Sequence, residues 1–109
     1  MENRPLSKQE QKLLEVLIKK AKLDFSQMND KLLAQPMKDG NMGGLRLVPD
    51  GIKNETRLFG NMASELEFTD EDGITVIASL NIDTNGNLFE LDIWKTDFSP
   101  LIRIPDSFE

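Results

Sequence analysis

Apolar residues near the start of the chain recur with the spacing of an amphipathic helix. They form one stripe at Leu13, Leu14, Leu17, Ile18 and Ala21. Ser7 and Glu10 precede this stripe with the S-x-x-E spacing of a capping box, in which each residue satisfies a backbone N–H of the other. The pattern therefore predicts a helix over about residues 7–23, with lysines near its C-terminal end, where they complement the helix dipole.

The next apolar residues, Phe25, Met28, Leu32 and Leu33, predict a second, shorter helix that ends at Pro36. The glycine-rich segment KDGNMGG follows. It lacks the spacing of a phosphate-binding loop, so a plain connector is favoured over a phosphate site. Leu45 and Leu47 then predict a short strand that Pro49-Asp50-Gly51 stops.

The apolar period changes to 2 in the second half of the chain, which is typical of strands. Two alternating segments, residues 74–82 and 88–95, flank Asn85-Gly86, a strong signal for a two-residue hairpin turn. With this turn, opposite residues have numbers that sum to 171. The predicted pairs are Ile82–Phe89, Leu80–Leu91 and Ala78–Ile93, all apolar against apolar.

The hairpin before it is predicted to turn through the three residues Glu71-Asp72-Gly73. A two-residue loop would put Glu65 and Glu67 on the core face, whereas the three-residue loop places apolar residues there. Gly73 then takes the left-handed conformation that such loops need. The predicted pairs are Phe68–Val76, Leu66–Ala78 and Met62–Ile82.

These elements predict a single α+β domain over residues 1–109, with an N-terminal helix or two helices packed on one face of an antiparallel β-meander of three to five strands. The tail, DFSPLIRIP, is expected to wrap the sheet edge, since Pro100 and Pro105 do not suit a central strand. The face of the meander turned away from the helix is expected to carry polar and charged side chains. They are Glu65, Glu67, Ser79, Asn81, Glu90 and Asp92, with Trp94 opposite Ile77 at one end.

Residues 81–92 also resemble the calcium-binding loop of an EF-hand, with Asn81, Asp83, Asn85 and Asp92 at ligand positions. An EF-hand needs flanking helices, and these flanks alternate with period 2, so the hairpin is favoured. Glu65, Glu90 and Asp92 can be interpreted as a solvated surface, as a protein-binding surface, or as a metal or catalytic site. The interpretation that involves metal is the least favoured, and we expect neither a metal nor a cofactor.

Composition restricts the chemistry. The chain has no histidine, cysteine or tyrosine, which removes the commonest general base and the thiol nucleophile and disfavours an enzyme. Its net charge of −6 disfavours nucleic acid and favours a basic partner. No signal peptide or membrane span is evident, so the expected compartment is the cytoplasm. The expected oligomeric state is a monomer or weak dimer.

Three segments, RPLSKQEQKLLEVLI, DGNMGGL and above all ASLNIDTNGNLFELDIWKTDFSPLIRIP, resemble a family of small bacterial proteins of unknown function. The chain is similar in size, acidity and cytoplasmic character to immunity proteins of contact-dependent inhibition and other polymorphic-toxin systems. That likeness implies a protein that binds and inhibits a cognate toxin, with a basic nuclease as the expected class. The expected contacts are Glu65, Glu67, Glu90, Asp92 and Trp94. The alternatives are a cytoplasmic regulatory interaction domain and a small metal-binding hydrolase that uses the carboxylates.

Overall fold

The fold is described by a computed structural model that covers residues 3–53 and 56–108. Within them the chain forms one α-helix and one antiparallel sheet of six strands, so the predicted α+β class is confirmed, whereas the predicted three to five strands are too few. In chain order the elements are β1 (Arg4–Pro5), α1 (Lys8–Lys20), β2 (Leu33–Pro36), β3 (Leu45–Val48), β4 (Phe59–Thr69), β5 (Thr75–Asp83) and β6 (Leu88–Lys95).

The strands lie side by side in the order β1-β2-β3-β6-β5-β4. The predicted meander is the half formed by β4, β5 and β6. The N-terminal strands extend it, because β3 pairs with β6 through Leu45–Leu91 and Arg46–Glu90. The long strand β4 therefore lies at one edge of the sheet, and the two-residue strand β1 lies at the other.

Helix α1 begins at the predicted capping box. Ser7 Oγ accepts a hydrogen bond from the Glu10 N–H at 3.1 Å, and Glu10 Oε1 accepts one from the Ser7 N–H at 2.8 Å. The Glu10 carboxylate also accepts two hydrogen bonds from Arg4, at 2.8 and 2.9 Å, which join the helix to β1. The helix ends at Lys20, three residues before the predicted end, because Lys22 adopts a left-handed conformation with φ 58°.

The apolar stripe of α1 packs on one face of the sheet and contacts β4 and β5. Its residues Leu13, Leu14, Leu17 and Ile18 are fully buried in one cluster with strand residues such as Leu80 and Leu91. Each such side chain contributes about 1.5–3 kcal/mol by leaving water. The opposite face of the sheet is the outer face, and none of the described residues forms a helix on it. No helix in the described part of the chain is long and apolar enough to cross a membrane.

The predicted second helix is wrong. Residues 24–32 form turns, and Leu33–Pro36 is strand β2, paired with β3. The apolar spacing predicted a helix because Met28 packs against the core, but Met28 does so from a turn. Asp24 accepts the Ser26 N–H at 2.9 Å, and Asn29 accepts the Lys31 N–H at 2.9 Å. Such side-chain bonds to local backbone compete with helix formation. The predicted strand at Leu45 and Leu47 is confirmed as β3.

The β4–β5 hairpin turns through the predicted three residues. The Asp70 N–H donates to Ile74 O at 2.9 Å, and the Gly73 N–H donates to Asp70 O at 2.9 Å, with φ 83° at Gly73. The pairs Phe68–Val76 and Leu66–Ala78 are confirmed. The pair Met62–Ile82 is wrong, because a bulge between Met62 and Ser64 shifts the register and sets Met62 opposite Asn81.

The β5–β6 hairpin keeps the pairs Leu80–Leu91 and Ala78–Ile93, but its predicted two-residue turn is wrong. The Asp83 N–H donates to Asn87 O at 2.9 Å, and the Gly86 N–H donates to Asp83 O at 3.0 Å. The turn is therefore the same three-residue type as the one before it. A bulge restores the register at Asn81–Glu90, so the predicted pair Ile82–Phe89 is replaced by Ile82–Leu88.

The tail after β6 forms no strand among its described residues. It passes the glycine-rich loop, where the Leu101 N–H donates to Asn41 O at 3.0 Å. It then reaches the core side, where Ile104 is buried and the Phe108 ring lies 5.8 Å from that of Phe68. The tail thus stabilises one end of the sheet and the C-terminal half of β4.

Candidate functional site

The strand register brings the predicted site residues together on the outer face in three rows. One row runs from Arg46 through Glu90 and Asn81, and the next from Asp92 through Ser79 to Glu65. The third row runs from Trp94 through Ile77 to Glu67. Residues directly opposite on neighbouring strands lie about 5 Å apart. All five predicted partner-binding residues, Glu65, Glu67, Glu90, Asp92 and Trp94, therefore lie on one surface.

Glu90 differs from the other carboxylates of this surface because it is already neutralised. Its Oε2 accepts a hydrogen bond from Arg46 Nη2 at 3.1 Å, and its side chain is only 17% exposed. The same arginine stacks on Phe89, with its Cζ 4.3 Å from the ring centroid. Phe89 is buried but is not part of the core under the helix, because the bulge turns it towards the arginines. Glu90 is therefore better suited to hold Arg46 than to meet a partner.

The remaining carboxylates of the face are available. Glu65, Glu67 and Asp92 are exposed and form no ion pair with any described residue. Partial burial, followed by the nearby carboxylates of Glu90 and Asp39, raises the pKa of Asp92 above its ordinary value. The negative charge of these three carboxylates thus has no ion-pair partner among the described residues, and an approaching cation would relieve it.

An aromatic pair lies at one end of the acidic surface. Trp94 is 41% exposed and Phe98 is 69% exposed, and their ring centroids are 6.0 Å apart. Phe98 adopts φ 63°, a left-handed conformation that is costly for a bulky side chain. The Phe98 N–H donates to Lys95 O at 2.8 Å and so closes the turn that holds this conformation. Strained backbone conformations of this kind cluster at functional sites.

The glycine-rich loop, residues 40–44, borders the same face through Asp39. The Asp39 carboxylate accepts hydrogen bonds from the Met42 N–H at 3.1 Å and the Gly44 N–H at 2.8 Å. A Cβ at Gly44 would lie 2.6 Å from Asp39 Oδ2, so a larger residue there would displace this carboxylate. Since the loop folds around its own carboxylate, these N–H groups are not free for phosphate. The interpretation of this segment as a connector agrees with that geometry.

The residues that resemble an EF-hand loop lie in a hairpin, with β5 and β6 on either side. Asp83 is one of the supposed ligands, but its side chain is only 2% exposed. It accepts a hydrogen bond from Arg57 Nε at 2.9 Å and others from the N–H groups of Asn85 and Asn87. Burial raises the pKa of Asp83, but these hydrogen bonds and Arg57 outweigh burial. The pKa of Asp83 therefore lies below its ordinary value. Within residues 3–53 and 56–108 no group of three or more acidic side chains is arranged to hold a metal ion.

Two buried charged clusters that position this surface were missed from the sequence. In one, Arg57 bonds Asp83 and donates to the carbonyl oxygens of Leu47 and Leu88, joining β3 to the β5–β6 hairpin. In the other, Lys95 is buried beside Asp70. Two signals were available: Lys95 continues the inward-facing series Leu91 and Ile93, and both hairpins begin with Asp-x-x-Gly.

Comparison with curated proteins found no match, and comparison with solved structures also found none. A family model described as a domain of unknown function, DUF6984, matches residues 3–105. The match includes the helix, all six strands and most of the tail, and so contains every residue of the outer face. The chain therefore belongs to the DUF6984 family, a family of unknown function.

Proposed function

We propose that this protein is a binding protein whose outer sheet face docks onto a basic protein partner. The observation that carries the proposal is the unpaired acidic charge of Glu65, Glu67 and Asp92 beside the exposed aromatic pair Trp94 and Phe98. The helix covers only the other face of the sheet. A charged rim with an aromatic anchor is the usual composition of a protein interface.

The structural elements that hold this surface also support the proposal. The Arg46–Glu90 pair and the Arg57–Asp83 pair fix the strands beneath it, at 3.1 and 2.9 Å. The carboxylates that remain free stand on paired strands rather than on loops. A surface held in this way loses little conformational entropy when a partner docks.

The partner class follows from charge. The chain carries 19 acidic and 13 basic residues, so its field as a whole attracts cations and repels nucleic acid. In its specific form, the proposal is that the protein is a cytoplasmic immunity protein that occludes a basic toxin, such as a nuclease, and acts as a monomer or weak dimer. A regulatory interaction domain with a different basic partner is the second form. Both forms use the same surface.

The experiment is capture of partners from the native host on the tagged protein, beside two double variants. Glu65→Gln with Glu67→Gln removes two charges from the outer face, and Glu15→Gln with Asp30→Asn removes two exposed charges elsewhere. We expect a basic protein to be retained by the wild type and by the second variant, and to be lost from the first.

Co-expression of the captured protein then distinguishes the two forms. If the captured protein stops growth and the wild-type chain restores it, the immunity form is supported. Restoration by the outer-face variant as well would contradict docking through this surface. Capture of a partner that is harmless to growth would favour the regulatory form.

A further inference from the structure

The outer edge of strand β4 has unpaired backbone groups. β4 is the last strand of the sheet, and its strand partner is β5. The Asp70 N–H donates to Ile74 O, whereas Thr75 O accepts the Thr96 N–H from the β6 side. Because hydrogen-bonded and non-hydrogen-bonded pairs alternate in an antiparallel ladder, the residues of β4 opposite Thr75, Ile77 and Ser79 point their N–H and C=O groups outward. These residues are Thr69, Glu67 and Glu65.

No other described segment hydrogen-bonds to this edge, and the tail passes beside its core side at Pro105 and Phe108. Among residues 3–53 and 56–108, no hydrogen bond to the backbone of Glu65, Glu67 or Thr69 comes from outside the sheet. Natural edge strands are usually blunted by charged side chains, above all lysine, by proline, by a bulge or by a covering loop. The bulges of β4 lie before Ser64, and the regular part that follows, SELEFT, contains neither lysine nor proline.

The side chains along this edge define what can pair with it. Glu65 and Glu67 project from the outer face, as their register with Ser79 and Ile77 requires. The residues between and beyond them, Leu66 and Phe68, face the core side. There they line a pocket of about 580 Å³ with Val16, Pro105 and Phe108, while Lys20, Glu67, Thr69 and Ser107 contribute its polar walls.

We infer that β4 accepts an extended segment of a basic protein as an added antiparallel strand. Cationic residues two positions apart in that segment lie opposite Glu65 and Glu67, and the apolar residue between them enters the pocket beside Leu66 and Phe68. Main-chain hydrogen bonds supply affinity and the alternating side chains supply selectivity. The inference rests on the proposed function, because it uses the same two glutamates and names how the partner binds.

A second copy of the chain is a poorer occupant of this edge. Antiparallel self-pairing about Leu66 would set Glu65 of each copy opposite Glu67 of the other. Like charges directly opposite each other destabilise a strand pair. Charge complementarity therefore selects a basic segment over a homodimer.

The test uses a labelled peptide with the core sequence Lys-Val-Lys-Val-Lys, and a peptide of the same composition with its lysines contiguous. We expect the alternating peptide to bind the full chain about tenfold more tightly by fluorescence anisotropy. In the alternating peptide, N-methylation of the lysine amides should weaken binding about tenfold, since these amides face β4. N-methylation of the valine amides, which face away, should leave binding unchanged.

Variants of Thr69 test the same edge from the protein side. Thr69→Pro removes an outward N–H and should weaken the alternating peptide about fivefold, whereas Thr69→Ala keeps that N–H and should bind as the wild type does. Amide hydrogen exchange at Glu65, Glu67 and Thr69 should slow when the peptide is bound.

Equal binding of the two peptides would overturn strand addition, and so would an alternating peptide that does not bind at millimolar concentration. These results leave the proposed function standing if the captured partner still depends on Glu65 and Glu67. If the captured partner binds the Glu65→Gln, Glu67→Gln variant as it binds the wild type, the proposed function itself is wrong, whatever the peptide results.

Discussion

Lys95 Nζ donates a hydrogen bond of 2.7 Å to Asp70 Oδ2, and the two side chains are 1% and 0% exposed. This buried pair joins the end of β6 to the β4–β5 hairpin, and Asp70 also accepts the N–H groups of Ile102 and Arg103 from the tail. We expect Asp70→Asn to lower the free energy of unfolding by about 3–5 kcal/mol, because it leaves a buried ammonium only partly compensated. Urea denaturation measures this loss, and Glu71→Gln in the same turn is the control. A midpoint for Asp70→Asn equal to that of the control would show that the pair contributes nothing.

The same carboxylate predicts a dependence on acid. Burial raises the pKa of Asp70, but the backbone N–H donors and Lys95 outweigh it and lower the pKa from 3.8 to about 2. A carboxyl group whose pKa is lower in the folded state stabilises the fold above its unfolded pKa. That stabilisation is therefore complete above about pH 4 and is lost as the pH falls towards 2. Denaturation midpoints measured from pH 5 to pH 2 should fall more steeply for the wild type than for Asp70→Asn, and parallel curves would contradict this assignment.

The core is expected to respond to truncation on the face under the helix. Leu80 and Leu91 are directly opposite each other and fully buried. Leu80→Ala or Leu91→Ala should cost about 2–5 kcal/mol by calorimetry or urea denaturation. Ile102→Ala, at a side chain that is 54% exposed, should change stability by less than about 0.5 kcal/mol. Similar losses for the core and surface variants would mean that the face assignment is wrong.

Asp92→Asn should make the protein slightly more stable at neutral pH. Partial burial and the neighbouring carboxylates raise the pKa of Asp92, so its ionised form is disfavoured in the folded state. A group with a raised pKa contributes most to stability below its unfolded pKa and loses that contribution as the pH rises through the folded pKa. The gain at pH 7 should be below about 1 kcal/mol, because the side chain is exposed. A lower thermal midpoint for Asp92→Asn would show that the carboxylate stabilises the fold.

The sequence predicted those elements whose apolar pattern and local chemistry agree. Helix α1 was identified because Ser7 and Glu10 begin it just before an unbroken apolar stripe. The pairs Phe68–Val76 and Leu80–Leu91 followed from the alternation of the strands and the type of the turn. The outer face followed directly, since register alone decides which side chains share a face.

The failures have a common physical cause in buried polar groups, which the apolar pattern does not reveal. Asn-Gly suggested a two-residue turn, but Asp83 holds the backbone N–H groups of Asn85 and Asn87 and lengthens the turn by one residue. That extra residue requires the bulge that moves Phe89 out of the core. Arg57, 26 residues earlier, pairs with Asp83 and stacks on Phe89, with 5.0 Å from Cζ to the ring centroid. Such a contact has no signal in local sequence.

Trp94→Ala should weaken binding of the captured basic partner by about 2 kcal/mol or more if the aromatic pair with Phe98 is the anchor of the interface. The loss should appear mainly as faster dissociation. Phe25→Ala is the matched control, because Phe25 is 48% exposed and is not part of the outer face. Equal affinities for both variants, measured by surface plasmon resonance or calorimetry, would remove Trp94 from the interface.

The most direct test of docking through the outer face is the association rate of the captured partner as a function of salt concentration. Removing Glu65 and Glu67 charges in the double glutamine variant should slow association about tenfold at low salt and flatten its salt dependence, since charge acts mainly on encounter. The Glu15→Gln, Asp30→Asn variant has the same net charge and should retain most of the wild-type rate. If the two variants associate equally fast at every salt concentration, net charge alone governs the encounter and the outer face is not the docking surface.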